Sequence, residues 1–131
     1  MVFLRGLVVW VIIVLAEFVH GAARGVLLEP YVGDFRARQI AVFTGSAIIL
    51  AIAVAFVRWI RAGSIYHLIA TGLLWLVLML GFEIAFGRYV MGYSWDRIAS
   101  DFNLVKGGLL PIGMVVLTLA PIIAARVRRL I

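Results

Sequence analysis

The 131-residue chain has no cysteine. That excludes disulfides, thiolate metal sites and thiol catalysis. Charge is also scarce. Asp, Glu, Lys and Arg make up 14% of the residues, against about 25% in a soluble domain. Six carboxylates and two histidines are all that remain for acid–base chemistry. No serine nucleophile has a base near it, no glycine-rich phosphate loop occurs, and no Asp pair has a catalytic frame. The sequence therefore points away from an enzyme, and it implies no cofactor.

Apolar residues fill the space, at 66% of the chain and a mean hydropathy of +1.18. They fall into four runs, at residues 3–23, 38–60, 64–86 and 108–125. Each approaches or exceeds the ~20 residues that cross ~30 Å of hydrocarbon. None alternates with a period of two, so barrel strands are excluded. The expected fold is an all-α membrane protein, a single domain over residues 1–131, with four transmembrane helices as two hairpins. The first run resembles a signal peptide, with Arg5 before it and Gly21-Ala22-Ala23 at its end. Glu17 and His20 sit badly in such a segment, so it reads as a retained span.

The connections differ in character. Residues 61–63 make a tight basic turn, whereas the other two connections are about 15–20 residues, long for a compact bundle. Gly33-Asp34 marks the start of the second span, with Asp34 able to cap it. Trp95, Ile98, Ala99 and Phe102 recur at i, i+3, i+4 and i+7, with Asp96, Arg97 and Asp101 off that face. With Ser94 as cap, residues 95–102 read as a short interfacial helix before the fourth span, its polar side solvated. Tyr89, Tyr93 and Trp95 would form an aromatic belt there. In the fourth span Pro121 frees the carbonyl of Leu117, and Thr118 is placed to help satisfy it.

One side of the four spans collects Arg5, Arg58, Arg61, Arg126, Arg128 and Arg129 without a carboxylate. The other holds Arg24, Arg36, Arg38, Arg88, Arg97, Lys106 and every carboxylate. The Lys and Arg counts tie. The unpaired cations crowd closest to the spans on the first side, which puts both termini in the cytoplasm. The net charge of +6 reads as basic flanks on anionic headgroups rather than nucleic-acid binding, since no basic cluster occurs.

The candidate polar cluster is Glu17, His20, Arg24, Glu83 and Arg88. Glu17, His20 and Arg24 lie at i, i+3 and i+7 and share one helix face. Gly21, at i+4, would let another helix approach there, and Gly87 stands in the same relation to Glu83. Arg88 is rotated about 140° from Glu83, at ~100° per residue, so cross pairs are expected: Glu17 with Arg88, and Glu83 with Arg24. Glu17 lies about 18 Å along the axis from Arg5, well inside the bilayer. A carboxylate at that depth must find a partner or face an interior or water-filled space. Either the cluster is structural and locks the hairpins, or it is a proton, ion or polar-ligand pocket open to the outer side.

The run E-F-V-H-G from Glu17 aligns with E-I-A-F-G from Glu83. Each is followed by an arginine, a polar connection and a return span, as in a parallel repeat. Glu-x-x-His also resembles the motif of carboxylate-bridged di-metal bundles, which need a second such motif. Phe86 stands where the second histidine would be, and His67 is at the far end of its span, so no metal site is expected. Ala47, Ala51 and Ala55 give the second span a small-residue stripe suited to helix packing.

Residues 82–103, F-E-I-A-F-G-R-Y-V-M-G-Y-S-W-D-R-I-A-S-D-F-N, resemble small four-span bacterial inner-membrane proteins of unassigned function. The segments H-G-A-A-R and E-P-Y-V-G-D-F-R-A-R-Q are similar to the same group. The resemblance implies a four-helix fold in the bacterial inner membrane and no activity. Leu15-Ala16-Glu17 is also similar to the lone carboxylate in the first span of small multidrug transporters. The long polar loops, Glu83 and the arginines depart from that family, and it is not adopted. The expected function is a non-catalytic accessory subunit or homo-oligomeric packing protein. Its partners would be the lipid bilayer and a membrane protein or second copy, with no nucleic acid. The alternative is a small proton- or ion-coupled transporter or channel using Glu17 and Glu83.

Overall fold

Long apolar runs with few charges satisfy their backbone groups most simply as helices. The computed structural model, which describes residues 2–60, 63–104 and 107–130, is built of helices and connecting turns. Arg61, Ala62 and Lys106, which figure in the expected turn and in the charge count, lie outside the described residues. Helix α1 (Val2–Ala23) passes through one π-helical turn (Arg24–Leu28) into the short α2 (Glu29–Val32). Then come α3 (Asp34–Ile60) and α4 (Ile65–Ala85), the latter extended by a second π-helical turn (Phe86–Val90). A short α5 (Trp95–Phe102) and a final α6 (Leu110–Val127) complete the chain. Four helical stretches, Val2–Val32, Asp34–Ile60, Ile65–Val90 and Leu110–Val127, are long and apolar enough to cross a membrane.

The first and third run beyond their expected ends because the π turns carry the helix past the arginines. Between α2 and α3 the chain reverses at Gly33, whose φ of 86° favours a residue without Cβ. Ser94 caps α5 as expected, accepting from the Arg97 backbone N–H at 3.1 Å. Asp34, expected as a cap, is instead the first residue of α3, and its carboxylate is taken by arginines.

Around the bundle the long helices neighbour one another in the order α1, α3, α6, α4. The core draws Val9 and Ile13 from α1, Ala53 and Val57 from α3, Trp75 and Met79 from α4, and Leu117 and Ala120 from α6. The buried Trp75 indole donates to the Gly6 carbonyl at 2.9 Å, so its one polar atom is satisfied. Gly72 lets α4 and α6 close up, because a Cβ there would run into the Thr118 carbonyl. Thr118 does not serve Leu117 as expected. Its hydroxyl donates to the Met114 carbonyl at 2.8 Å.

The small-residue stripe does not serve packing inside the bundle. Ala47, Ala51 and Ala55 lie on the exposed side of α3, while Gly45, Ile49, Ala53 and Val57 face inward. Gly21 has no atom within 4 Å of where its Cβ would stand, so it marks no close helix contact. At the basic end of the bundle, Arg5 donates to the Trp59 carbonyl at 3.1 Å and Arg128 to that of Val54 at 3.4 Å.

A candidate polar cavity

At the other end, a cavity of about 390 Å³ opens between α1, α3, α4 and α6, with α5 across it. Glu17 and His20 reach it from α1 and Arg24 from the π-helical turn that continues it, in keeping with their shared helix face. Glu83 reaches it from α4. The two carboxylates are close enough for their charges to interact.

Glu17 owes its seat to Gly45 on α3. A Cβ at position 45 would stand 2.9 Å from Glu17 Oε2. Glu17 Oε1 is buried and has no hydrogen-bond partner among the described residues. His20 Nδ1 lies 3.5 Å from Glu17 Oε2, and its Nε2 lies 2.6 Å from Thr44 Oγ1. The imidazole thus links the carboxylate to a hydroxyl on the next helix, and either tautomer can carry a proton along that line.

The expected cross pairs do not form among the described residues. Arg88 turns away from Glu17, donates to the Tyr93 carbonyl at 3.2 Å and stacks over the Trp95 ring. Its rotation from Glu83 aims it at α5 rather than across the bundle. Among the described residues Arg24 makes neither a hydrogen bond nor an ion pair, and its Nε is buried without a partner. Its charge nonetheless acts on His20, Glu83 and Asp101, so it stands among them.

The arginines that do pair are ones the sequence reading left at the surface. Arg97 of α5 makes two hydrogen bonds to Asp34, at 2.7 and 3.1 Å. Arg38 reaches Asp34 at 3.1 Å and also pairs directly with Asp101. The polar side of α5, expected to be solvated, is therefore tied to α3. Hydrogen bonding to Asp34 holds the Arg97 proton even more firmly than is usual for a guanidinium. Burial raises the pKa of Asp101, with Arg38 pulling the other way. A sequence signal existed for one pair only, Asp34/Arg38 at i, i+4; the pairs Arg97–Asp34 and Arg38–Asp101 join different helices, and no spacing marked them.

On the apolar side of α5, Ile98 and Phe102 line the cavity, and Trp95 is 53% exposed. Gly87 is buried with a Cβ position 3.5 Å from Ile98, so its smallness serves the seating of α5. Phe86, standing where a second histidine would be, stacks on Phe82 at 5.3 Å and meets Phe18 edge-on at 5.9 Å. This aromatic seam joins α1 to α4. Among the described residues no three His, Asp or Glu side chains converge so as to hold a metal ion.

The site offers two carboxylates, one imidazole and one unpaired guanidinium around an apolar-walled space. Such a set can bind and release a proton or hold a charged solute. No family model, curated protein or solved structure matches the chain.

Proposed function

We propose that the protein is a small proton-coupled membrane transporter in which Glu17 binds and releases the proton. The observation that carries this is the seat of Glu17. It lines a cavity with one oxygen buried and unpaired, and no arginine neutralises it. A cluster built only to lock helices together would commit its carboxylates to arginines. Here the arginines that pair are taken by Asp34 and Asp101. An ionisable group left in that state inside a bilayer calls for a proton, a ligand or water. His20 and Thr44 extend the proton path from it. The helices that bear Glu17 and Glu83 each run into a π-helical turn, starting seven and three residues after the carboxylate, and such turns are frequent at functional sites.

In this reading α1 with α3, and α4 with α6, are the two hairpins. Arg5, Arg58, Arg126, Arg128 and Arg129 face the cytoplasm of a bacterial inner membrane together with both termini. Helix α5 then lies at the outer interface, over the mouth of the cavity.

The test uses the full chain in liposomes that enclose a pH-sensitive dye. An imposed pH gradient should collapse with the parent protein and persist with Glu17→Gln. Helical circular dichroism and gel filtration should be unchanged in the variant. A variant that moves protons like the parent, or a parent that moves none, overturns the proposal.

An accessory or self-associating protein is the second reading. It is favoured by the outward stripe of Ala47, Ala51 and Ala55, whose spacing suits close helix contact.

A further inference from the structure

We propose that the cavity binds a small zwitterion, a ligand with an ammonium group and an oxyanion on an apolar body. The inference takes the same cavity as the transport reading but needs no transport, and it is tested by binding alone.

Its basis is unsatisfied polar groups of both signs around one space. Asp34, Arg38, Arg97 and Asp101 pair their charges with one another and act as walls, although Arg38 Nε is also buried without a partner among the described residues. What remains is Glu17 and Glu83 on the acidic side and Arg24 on the basic side. Glu17 Oε1 and Arg24 Nε are both buried, and neither has a hydrogen-bond partner among the described residues. Groups buried without partners are costly and uncommon in folded proteins.

Arg24 could have neutralised Glu17. It follows by seven residues on the same face, about 10 Å along the axis, and helical side chains lean back toward the N-terminus. The two still do not pair, and both line the cavity.

A simple ammonium would satisfy Glu17 and leave Arg24 unpaired. A simple anion would satisfy Arg24 and face two carboxylates. A zwitterion answers both, with its ammonium between Glu17 and Glu83 and its oxyanion on Arg24. It adds no net charge, so one proton remains to offset the second carboxylate, at Glu17–His20 or Glu83. Phe18, Phe82, Phe86 and Phe102 supply apolar wall for the ligand body. The volume of about 390 Å³ is within the ~300–1,000 Å³ usual for small-molecule sites. Two sources share this chemistry, a free amino-oxyanion solute and the headgroup of an aminophospholipid.

Calorimetric titration of the delipidated, detergent-solubilised full chain tests it. The probes are glycerophosphoethanolamine, ethanolamine, inorganic phosphate and dihexanoyl phosphatidylethanolamine. A zwitterionic probe should bind at least about ten-fold more tightly than ethanolamine or phosphate. Arg24→Gln should erase the advantage over ethanolamine, and Glu83→Gln the advantage over phosphate. Tighter binding of the short-chain lipid than of glycerophosphoethanolamine assigns the site to a lipid headgroup, and the reverse assigns it to a solute. Ethanolamine or phosphate binding as tightly as the zwitterions overturns the proposal, and so does the absence of binding by all four. Because these comparisons use the parent protein, they stand even if a variant fails to fold. Zwitterion binding without proton flux would sink transport alone, and flux without zwitterion binding would sink this inference alone.

Discussion

Two glycines show how a single methyl can act on chemistry or on packing. At Gly45 the added Cβ would stand 2.9 Å from Glu17 Oε2, the far end of a flexible side chain. Gly45→Ala should therefore fold as well as the parent, since Ala is favoured over Gly in a helix by about 0.5–1 kcal/mol. It should also displace the Glu17 carboxylate and slow proton movement in liposomes. At Gly72 the added Cβ meets the backbone carbonyl of Thr118, which cannot swing aside. Prising α4 from α6 should cost about 1–3 kcal/mol, more than the helix preference returns. Thermal unfolding in detergent checks the contrast, and equal melting of the two variants would refute it. The sequence disclosed part of this residue-level picture. The i, i+3, i+7 spacing put Glu17, His20 and Arg24 on one face, and the structure has them on one cavity wall. It did not disclose their partners, because pairing across helices depends on how each helix is rotated about its axis. Arg88 was expected to reach Glu17 and instead serves α5.

Helix α5 carries the clearest difference between what a pattern announces and where the element goes. Its extent, its Ser94 cap and its apolar spacing were legible, because they are local. Its docking was not, since an amphipathic face reads the same toward lipid as toward a cavity. Ile98 and Phe102 turn to the cavity, and Arg97 with Asp34, and Arg38 with Asp101, hold the helix there. These ion pairs are partly exposed, so removing one should cost stability little, about 0–1 kcal/mol. It should nevertheless loosen the cover. The absence of cysteine makes this measurable. With Met114→Cys as a reporter in the cavity wall, Arg97→Ala should raise the rate of maleimide labelling while the melting temperature barely moves. An unchanged labelling rate would mean that α5 is held by its apolar face alone.

Across the whole molecule, the two halves have the same plan. Each has a long helix bearing a glutamate, a π-helical turn, a short helix and a return helix. The packing follows it in part: α1 lies on α3 as α4 lies on α6, whereas α3 packs on α6 much more closely than α1 does on α4. The aligned Glu17 and Glu83 motifs hinted at this, and the four spans followed from composition alone. The cavity was not legible, because its volume is what four packed faces leave over. The halves differ where the chemistry differs, with His20 in one and Phe86 in the other. The plan also leaves Ala47, Ala51 and Ala55 outside, on the exposed side of α3. In lipid the attraction between helices comes from close backbone approach, which small residues permit. A copy of the protein should therefore associate through this stripe, and Ala51→Phe should weaken the association by keeping the backbones apart. Photobleaching step counts in a supported bilayer would read it, with two-step traces giving way to single steps in the variant. Single steps in the parent would reject the packing face, and the glutamate cavity would then have to work within one chain.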